Sequence, residues 1–277
     1  MRLLVLFALL GLSTAAVYKS KMIYRKWKMT KMIREGTWLD YKEKARASGV
    51  TKTTKYGNLA AVIFDTASGT LWVPDQECGT LPDDCQQCLQ FDEFDCFFDC
   101  KDPFCCDTIT LGKRFKEAAK RFGACLRKHK FDQFQSSTFA PFPGDGWQTS
   151  EAYGRLGMET FRFGAANESQ LVVPLVNFGQ ALDVADGFYN DPADGVLGLG
   201  FTALAVDHIL PPFISAVNQK LVDQPIFSVF LQTDGQVEGQ PGGVFTWGGI
   251  DTDNCQDVWA WMPLQAADYW VFKVVIY

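Results

Sequence analysis

Residues 59–64, Leu-Ala-Ala-Val-Ile-Phe, make an unbroken apolar run that ends on a carboxylate, Asp65. Thr66, Ala67, Ser68 and Gly69 follow, all small, and then a second apolar run, Leu71-Trp72-Val73-Pro74. Short apolar runs on either side of small residues read as two buried strands joined by a tight turn. A lone Asp at a strand end most often does no more than start that turn. One carried out of a buried strand is also held rigidly and partly desolvated, and these conditions suit a carboxylate to acid–base work.

The chain has 277 residues, 47% of them apolar and 14% aromatic, enough for one or two domains with a real core. With 24 Gly, 12 Pro and many short apolar runs, an all-β architecture is expected. Residues 1–16 have the layout of a secretory signal peptide. Arg2 is the charged start, residues 3–12 are apolar, and Ser13, Thr14, Ala15 and Ala16 offer a cleavage site. An apolar run of that length is too short to cross a bilayer, and no later run is long enough. The expectation is a product without a transmembrane segment, secreted to the extracellular space or, alternatively, sent to the lysosome.

Charge is divided unevenly. Residues 17–55 carry 12 Lys or Arg against 3 Asp or Glu, a net of +9. The whole chain is at −6, so with that leader and Arg2 set aside, residues 56–277 stand at −16. A basic arm for nucleic acid fits poorly with a signal peptide and an acidic body. Tyr24, Trp27, Met29, Met32, Ile33, Trp38, Leu39 and Tyr41 interleave with the basic residues, so the segment can pack as well as attract.

Eight of the nine cysteines crowd between Trp72 and Phe131: Cys78, Cys85, Cys88, Cys96, Cys100, Cys105, Cys106 and Cys125. Cys85 and Cys88 form a CxxC, but no second CxxC follows at zinc-ribbon spacing, so no metal is expected. In an oxidising compartment these thiols are disulfide candidates, with connectivity left open. Residues 113–128 have helical periodicity and are expected to form a short surface helix. Cys255 is the odd one, far from the rest and without an obvious partner. His129 and His208 are the only histidines, and neither sits in a recognisable hydrolase triad. Asn167-Glu168-Ser169 is an N-glycosylation sequon at Asn167.

The Asp65 run resembles the first active-site loop of the pepsin-like aspartic proteases, the peptidase A1 family: an apolar strand, Asp-Thr-Gly-Ser, then Leu-Trp-(Val/Ile)-Pro. Ala67 stands where that family has Gly. Further matches follow in order. Phe131-Asp132 and Ser136-Ser137-Thr138-Phe139 resemble the strand pair before the flap. Asp194-Gly195-Val196-Leu197-Gly198-Leu199-Gly200 resembles the strand that passes through the catalytic loop. Residues 211–221 read as a short helix and 223–231 as a strand, like the crossing between lobes. Gly242 to Asp251 and Tyr269-Trp270-Val271-Phe272 resemble strands of the second lobe. The large Cys-rich insert looks like nematode members of the family. The flap looks shortened or absent, with Tyr153 as its possible remnant, placed better in the strand after the flap than at its tip.

The resemblance implies the pepsin-like acid protease fold, with a complete-looking N-terminal lobe and a partial C-terminal lobe. The expected layout is a signal peptide at 1–16, a basic pro-segment at 17–55, the N-terminal lobe at 56–222 with its insert at 76–129, and the partial lobe at 223–277. It implies an aspartic endopeptidase acting at acidic pH, with Asp65 catalytic and Thr66, Ala67, Ser68, Trp72 and Gly198 supporting the loop. It implies no cofactor. Partners would be polypeptide substrates and the chain's own pro-segment, with no nucleic acid and a monomeric state. The family needs two carboxylates, and the second lies on an Asp-Thr-Gly loop. No other Asp-Thr here follows an apolar strand: Asp107-Thr108 is in the insert and Asp251-Thr252 is in a turn. That absence, with Cys255, leads to the expectation that the chain is truncated. The alternative is an inactive pseudoenzyme that binds peptides. If position 67 demands φ > 0, its Ala costs about 1–2 kcal/mol more than Gly, which favours that alternative.

Overall fold

A computed structural model of the chain describes residues 16–23, 60–79, 122–125, 128–142, 146–164, 168–189, 191–232 and 240–274. Residues 1–15 of the expected signal peptide, most of the basic leader, Asn167 and six of the insert cysteines lie outside the described residues. Strands dominate, as the pattern of short apolar runs requires. They are β1 (Tyr18–Ile23), β2 (Val62–Asp65), β3 (Leu71–Pro74), β4 (Ala140–Pro141), β5 (Trp147–Gln148), β6 (Ala152–Phe163), β7 (Leu171–Val184), β8 (Gly195–Gly198), β9 (Phe227–Leu231) and β10 (Pro241–Trp247). Among the described residues two short α-helices join them, α1 (Phe122–Cys125) and α2 (Pro212–Asn218). Of the helix expected over 113–128, the described part is the single turn of α1.

The chain forms two compact units, and neither is one continuous stretch. The first comprises residues 1–24, 162–173 and 214–259. Its sheet has the order β1-β10-β9, antiparallel throughout. β1 pairs with β10 from Tyr18↔Trp247 to Ile23↔Pro241, so a piece of the basic leader is an ordered sheet strand. Its inward residue Ser20 is buried and accepts the Trp247 indole N–H at 3.0 Å. Trp247 also packs on Phe245 and Phe163. Lys19 lies on the other side of β1 and places its ammonium 2.7 Å from both Asp251 and Asp253.

The second unit comprises residues 25–161, 174–213 and 260–277. Its strands run in the order β2-β8-β3-β7-β6-β4, and β5 pairs with β6. β8 lies between β2 and β3, parallel to the first and antiparallel to the second. Strands buried on both faces need continuous apolar runs. β3 and β8 are buried at every residue, which explains why Leu71-Trp72-Val73 and Val196-Leu197 lack alternation. Long β6 and β7 alternate instead over much of their length.

Tyr269-Trp270-Val271-Phe272 departs from expectation. Residues 255–274 hold no strand. A strand needs a hydrogen-bonded neighbour along its length, and among the described residues this segment has none. Its backbone is held locally, with Gln265 N–H donating to Val271 O, and by the contact of Phe201 N–H with Asp268 O at 3.2 Å.

Candidate active site

Asp65 is the last residue of β2, and its register partner on β8 is Gly198. The backbone there is tied on both sides: Leu199 N–H donates to Asp65 O at 2.7 Å, and Asp194 N–H donates to Ala61 O at 2.6 Å. The Asp65 carboxylate accepts the Ala67 N–H at 2.8 Å, the side-chain turn that an Asp at a strand end commonly makes. The turn therefore begins as an Asx-turn. What distinguishes it is that β8 closes behind it. Gly200 N–H donates to Ser68 O, Gly198 N–H to Thr70 O, Gly69 N–H to Leu204 O, and Val206 N–H to the Thr70 hydroxyl.

Glycine is required where the two segments cross. A Cβ on Gly198 would stand 2.4 Å from Gly69 C and Thr70 N, both backbone atoms that cannot swing away. One on Gly195 would stand 2.1 Å from Trp72 O. The glycines of Asp-Gly-Val-Leu-Gly thus let β8 thread between β2 and β3.

Ala67 needs correction. Its methyl is exposed, and Ala67 is not among the residues with positive φ, which are Leu175, Asp207, His208 and Lys220 outside glycine. The left-handed strain that would have argued against function is not there, because the turn closes through the carboxylate-to-N–H bond without that conformation. Thr66 is exposed beside it. Ser68 is half-buried, and its hydroxyl is shielded from solvent with no partner among the described residues.

Trp72 is 1% exposed, with Phe188 edge-on at 5.0 Å and Trp147 at 6.3 Å. Trp147 starts the β5–β6 hairpin and donates its indole N–H to Arg155 O at 2.8 Å. In that hairpin Trp147 pairs with Gly154 and Gln148 with Tyr153. Tyr153 is therefore in the strand after a very short turn made by Thr149, Ser150 and Glu151. Thr149 Oγ1 caps the turn, accepting the Glu151 and Ala152 N–H groups. Ala185 N–H donates to Glu151 O at 2.6 Å and holds the tip.

Other site-supporting residues gave little signal in the sequence. Asp194 is 2% exposed and accepts N–H groups from Ala61 (2.7 Å) and His129 (2.9 Å), with the His129 ring nitrogen Nδ1 also at 2.9 Å. It fastens the base of β2 to the chain leaving the Cys-rich insert. Next to it, buried Lys128 donates to Asp191 O and Ala193 O and sits over the Phe188 ring. Burial pushes the Lys128 amine below its ordinary value, against the opposing pull of Asp194 and Asp191. Glu159 is buried and accepts the hydroxyls of Ser136 and Thr138, which gives Ser136-Ser137-Thr138 its purpose. Partners remote in sequence leave no periodic trace, and so Lys128 fell within the surface helix expected over 113–128.

Cys78 and Cys125 form a disulfide, and both are fully buried. It closes a 47-residue separation, pinning the insert at its two ends. Cys255 is a free thiol, half-buried. No group of His, Cys, Asp or Glu among the described residues is arranged to hold a metal ion. No helix among them is long and apolar enough to cross a membrane.

A strand-borne Asp held by a glycine-bounded strand threaded through its loop defines a class of protein, and comparison with known proteins gives the same class. Residues 113–276 match the family model described as eukaryotic aspartyl protease. The chain is 37% identical to "Aspartic protease 2" of Necator americanus, over 98% of this chain and 69% of that protein. It is 35% identical to "Aspartic protease 6" of Caenorhabditis elegans, over 99% of this chain and 66% of that protein. It is 28% identical to "Vacuolar aspartic protease" of Candida albicans, over 76% of this chain and 39% of that protein. The chain belongs to the eukaryotic aspartyl protease family, with the pepsin-like all-β fold. It spans about two thirds of the length of the two nematode relatives.

Proposed function

We propose that this protein is an aspartic-type endopeptidase acting at acidic pH on polypeptides, with Asp65 as the base that takes a proton from the attacking water. The observation that carries the reading is the rigidity of Asp65: a strand end, closed behind by β8, with its carboxylate oriented by the Ala67 N–H. A carboxylate held in place needs no reorganisation when the water attacks. Thr66, Ala67, Ser68, Trp72 and Gly198 are proposed as the supporting residues of that loop, and no cofactor is called for. The alternative reading is a peptide-binding pseudoenzyme. Left-handed strain at Ala67 lends that alternative nothing, since Ala67 is not among the described residues with positive φ. The purified chain is expected to cleave an unfolded protein between about pH 3 and 5. Cleavage should be blocked by a statine-type mimic of the transition state. Absence of cleavage in a folded preparation refutes the enzyme reading and leaves the binding one.

The basic leader is proposed as a pro-segment, with secretion or delivery to a lysosome following from the signal-like residues 1–16. β1 supplies its docking strand. Hydrogen bonds to Asp251 and then Asp253 hold the Lys19 amine above its ordinary value. Burial pushes Asp251 upward, but the bonds from Lys19 and Asn254 outweigh it and hold the carboxyl below the usual range. A depressed carboxylate stabilises above its unfolded pKa, near 3.9, and that contribution is lost as pH falls through the folded value. A raised lysine contributes at every pH below its unfolded value, so only the acidic edge matters here. The β1 clamp is thus firm at neutral pH and weakens in strong acid.

A further inference from the structure

β1 fills one edge of β10, and nearly every residue from Ala16 to Met22 has a seat there. Ala16 forms a parallel bridge with Val222, and its carbonyl lies beside Gly248. The Val17 side chain lies over Gly249, where an added Cβ would stand 2.9 Å from it. From Tyr18 to Met22 the strand keeps register with Trp247 to Gly243. Lys19 reaches Asp251 and Asp253, and Lys21 reaches Glu168 at 3.0 Å. Ser20 is 4% exposed and accepts the Trp247 indole N–H. The Met22 methyl lies against Gly243. β10 pairs with β9 on its other side, so among the described residues β1 alone covers this edge. Phe245, Thr246 and Trp247 of β10 are all buried.

An extended peptide laid along a sheet edge is held by its backbone and read through its alternate side chains. We propose that the β10 edge is a strand-acceptor site, and that it keeps residues 17–23 as a separate, non-covalently bound strand after the chain is cut downstream of them. This inference rests on the reading of the leader as a pro-segment, and it changes what such a cut removes: the first strand of the leader stays behind. Loss of β1 would leave the Trp247 indole N–H without its acceptor and a row of β10 backbone groups unpaired. A bare edge of that kind also invites pairing with another chain. The backbone ladder and the Ser20–Trp247 bond join uncharged groups, so salt leaves them in place while it screens the lysine pairs. The ligand this edge takes is defined by its chemistry. It is an extended peptide with a small hydroxyl side chain facing Trp247, flanked by one lysine for Asp251 and Asp253 and another for Glu168.

The test cuts the full chain and follows the strand. A recognition site for a sequence-specific protease is inserted between Ser48 and Gly49, and the cut is completed at pH 6 and confirmed by mass spectrometry. Size exclusion is then run in high salt, because the leader is basic and would otherwise cling to the acidic body by charge alone. The N-terminal fragment is expected to co-elute with the remainder and to leave only in denaturing urea. A fragment that elutes by itself, whether the remainder stays folded or aggregates, overturns the inference. The second arm is Ser20→Ala, checked for native circular dichroism before the cut. At a fixed moderate urea concentration its fragment should leave about tenfold faster, since a buried donor loses its partner. An unchanged rate would show that residues beyond β1 hold the fragment, and that result also overturns the inference. The pro-segment reading fails separately. If the chain without the inserted site makes no cut between residues 24 and 59 at acidic pH, that reading is lost, while the engineered cut still decides whether the strand stays.

Discussion

Two stretches of this chain whose residues resemble strands of the same family fold very differently. Around Asp65, the strands β2, β8 and β3 enclose one another, and Trp72 is 1% exposed. In the segment 255–274, no strand forms, and Trp259 and Trp261 are 92% and 71% exposed. Both are rich in aromatic and β-branched residues. The difference lies in partners. The first is built from strands paired in register, β2 on β8 and β8 on β3, whereas the second has only isolated bonds. Strand propensity expresses fit to a pleated, half-buried surface, and has nothing to act on where no surface is offered. One residue of the second stretch escapes this. Trp270 donates its indole N–H to Leu199 O at 2.9 Å and packs on Phe201, so it buttresses the segment just beyond β8.

The sharpest break in the comparison comes from the chemistry that only the enclosed region is built to do. Asp65→Asn is expected to keep the fold and to reduce peptide cleavage by about 10²–10⁴-fold or more, measured as initial rate at the acidic optimum. Activity surviving unchanged would remove Asp65 from the mechanism. Next come the paired tryptophans. Trp72→Ala should cost about 3–5 kcal/mol in urea unfolding, since it empties a site packed by Trp147 and Phe188. Trp259→Ala, in the open segment, should stay within about 0.5 kcal/mol. Similar values for both would mean that the open segment is covered in solution.

Gly198→Ala is expected to destabilise by about 1–3 kcal/mol, because its methyl meets backbone atoms of the Asp65 loop. A smaller effect would show that the crossing of β8 is looser than its contacts indicate. The gentlest effect concerns β1. Lowering the pH from 6 to 3 should increase protease cutting within residues 18–23, read by mass spectrometry, as the Lys19 clamp to Asp251 weakens. Lys19→Met should make the cutting at pH 6 resemble that at pH 3. Equal protection at both pH values would show that backbone pairing with β10 alone holds the strand.

Much of this was legible beforehand because local chemistry carried it. Asp65 after an apolar run, and glycines at fixed offsets in Asp194 to Gly200, report contacts that recur within a few residues. The short helix read at 211–221 is α2, and the strand read at 223–231 is β9 in its second half. Where the reading went astray, the deciding contact was remote. Ala67 looked strained only if the loop took one particular backbone angle, and the loop took another. The Tyr-Trp run looked like a strand without any neighbour to make it one. The pairing of Asp194 with His129 across 65 positions, and of Lys19 with Asp251 across 232, had no local signature.

The sequence by itself determined the β-rich character of the chain, the position of Asp65 at a strand end, and where small residues were obligatory. These follow from side-chain size, polarity and near-neighbour spacing, which are written directly in the order of residues. Only the tertiary structure decided that β1 belongs to a sheet with β10, and that Glu151 closes a turn held by Ala185. Only it decided that Ala67 bears no strain and that 255–274 stays open. Each of those outcomes depends on which distant segment comes to lie alongside, and hydrogen bonds and charge pairs form with whatever group folding brings there.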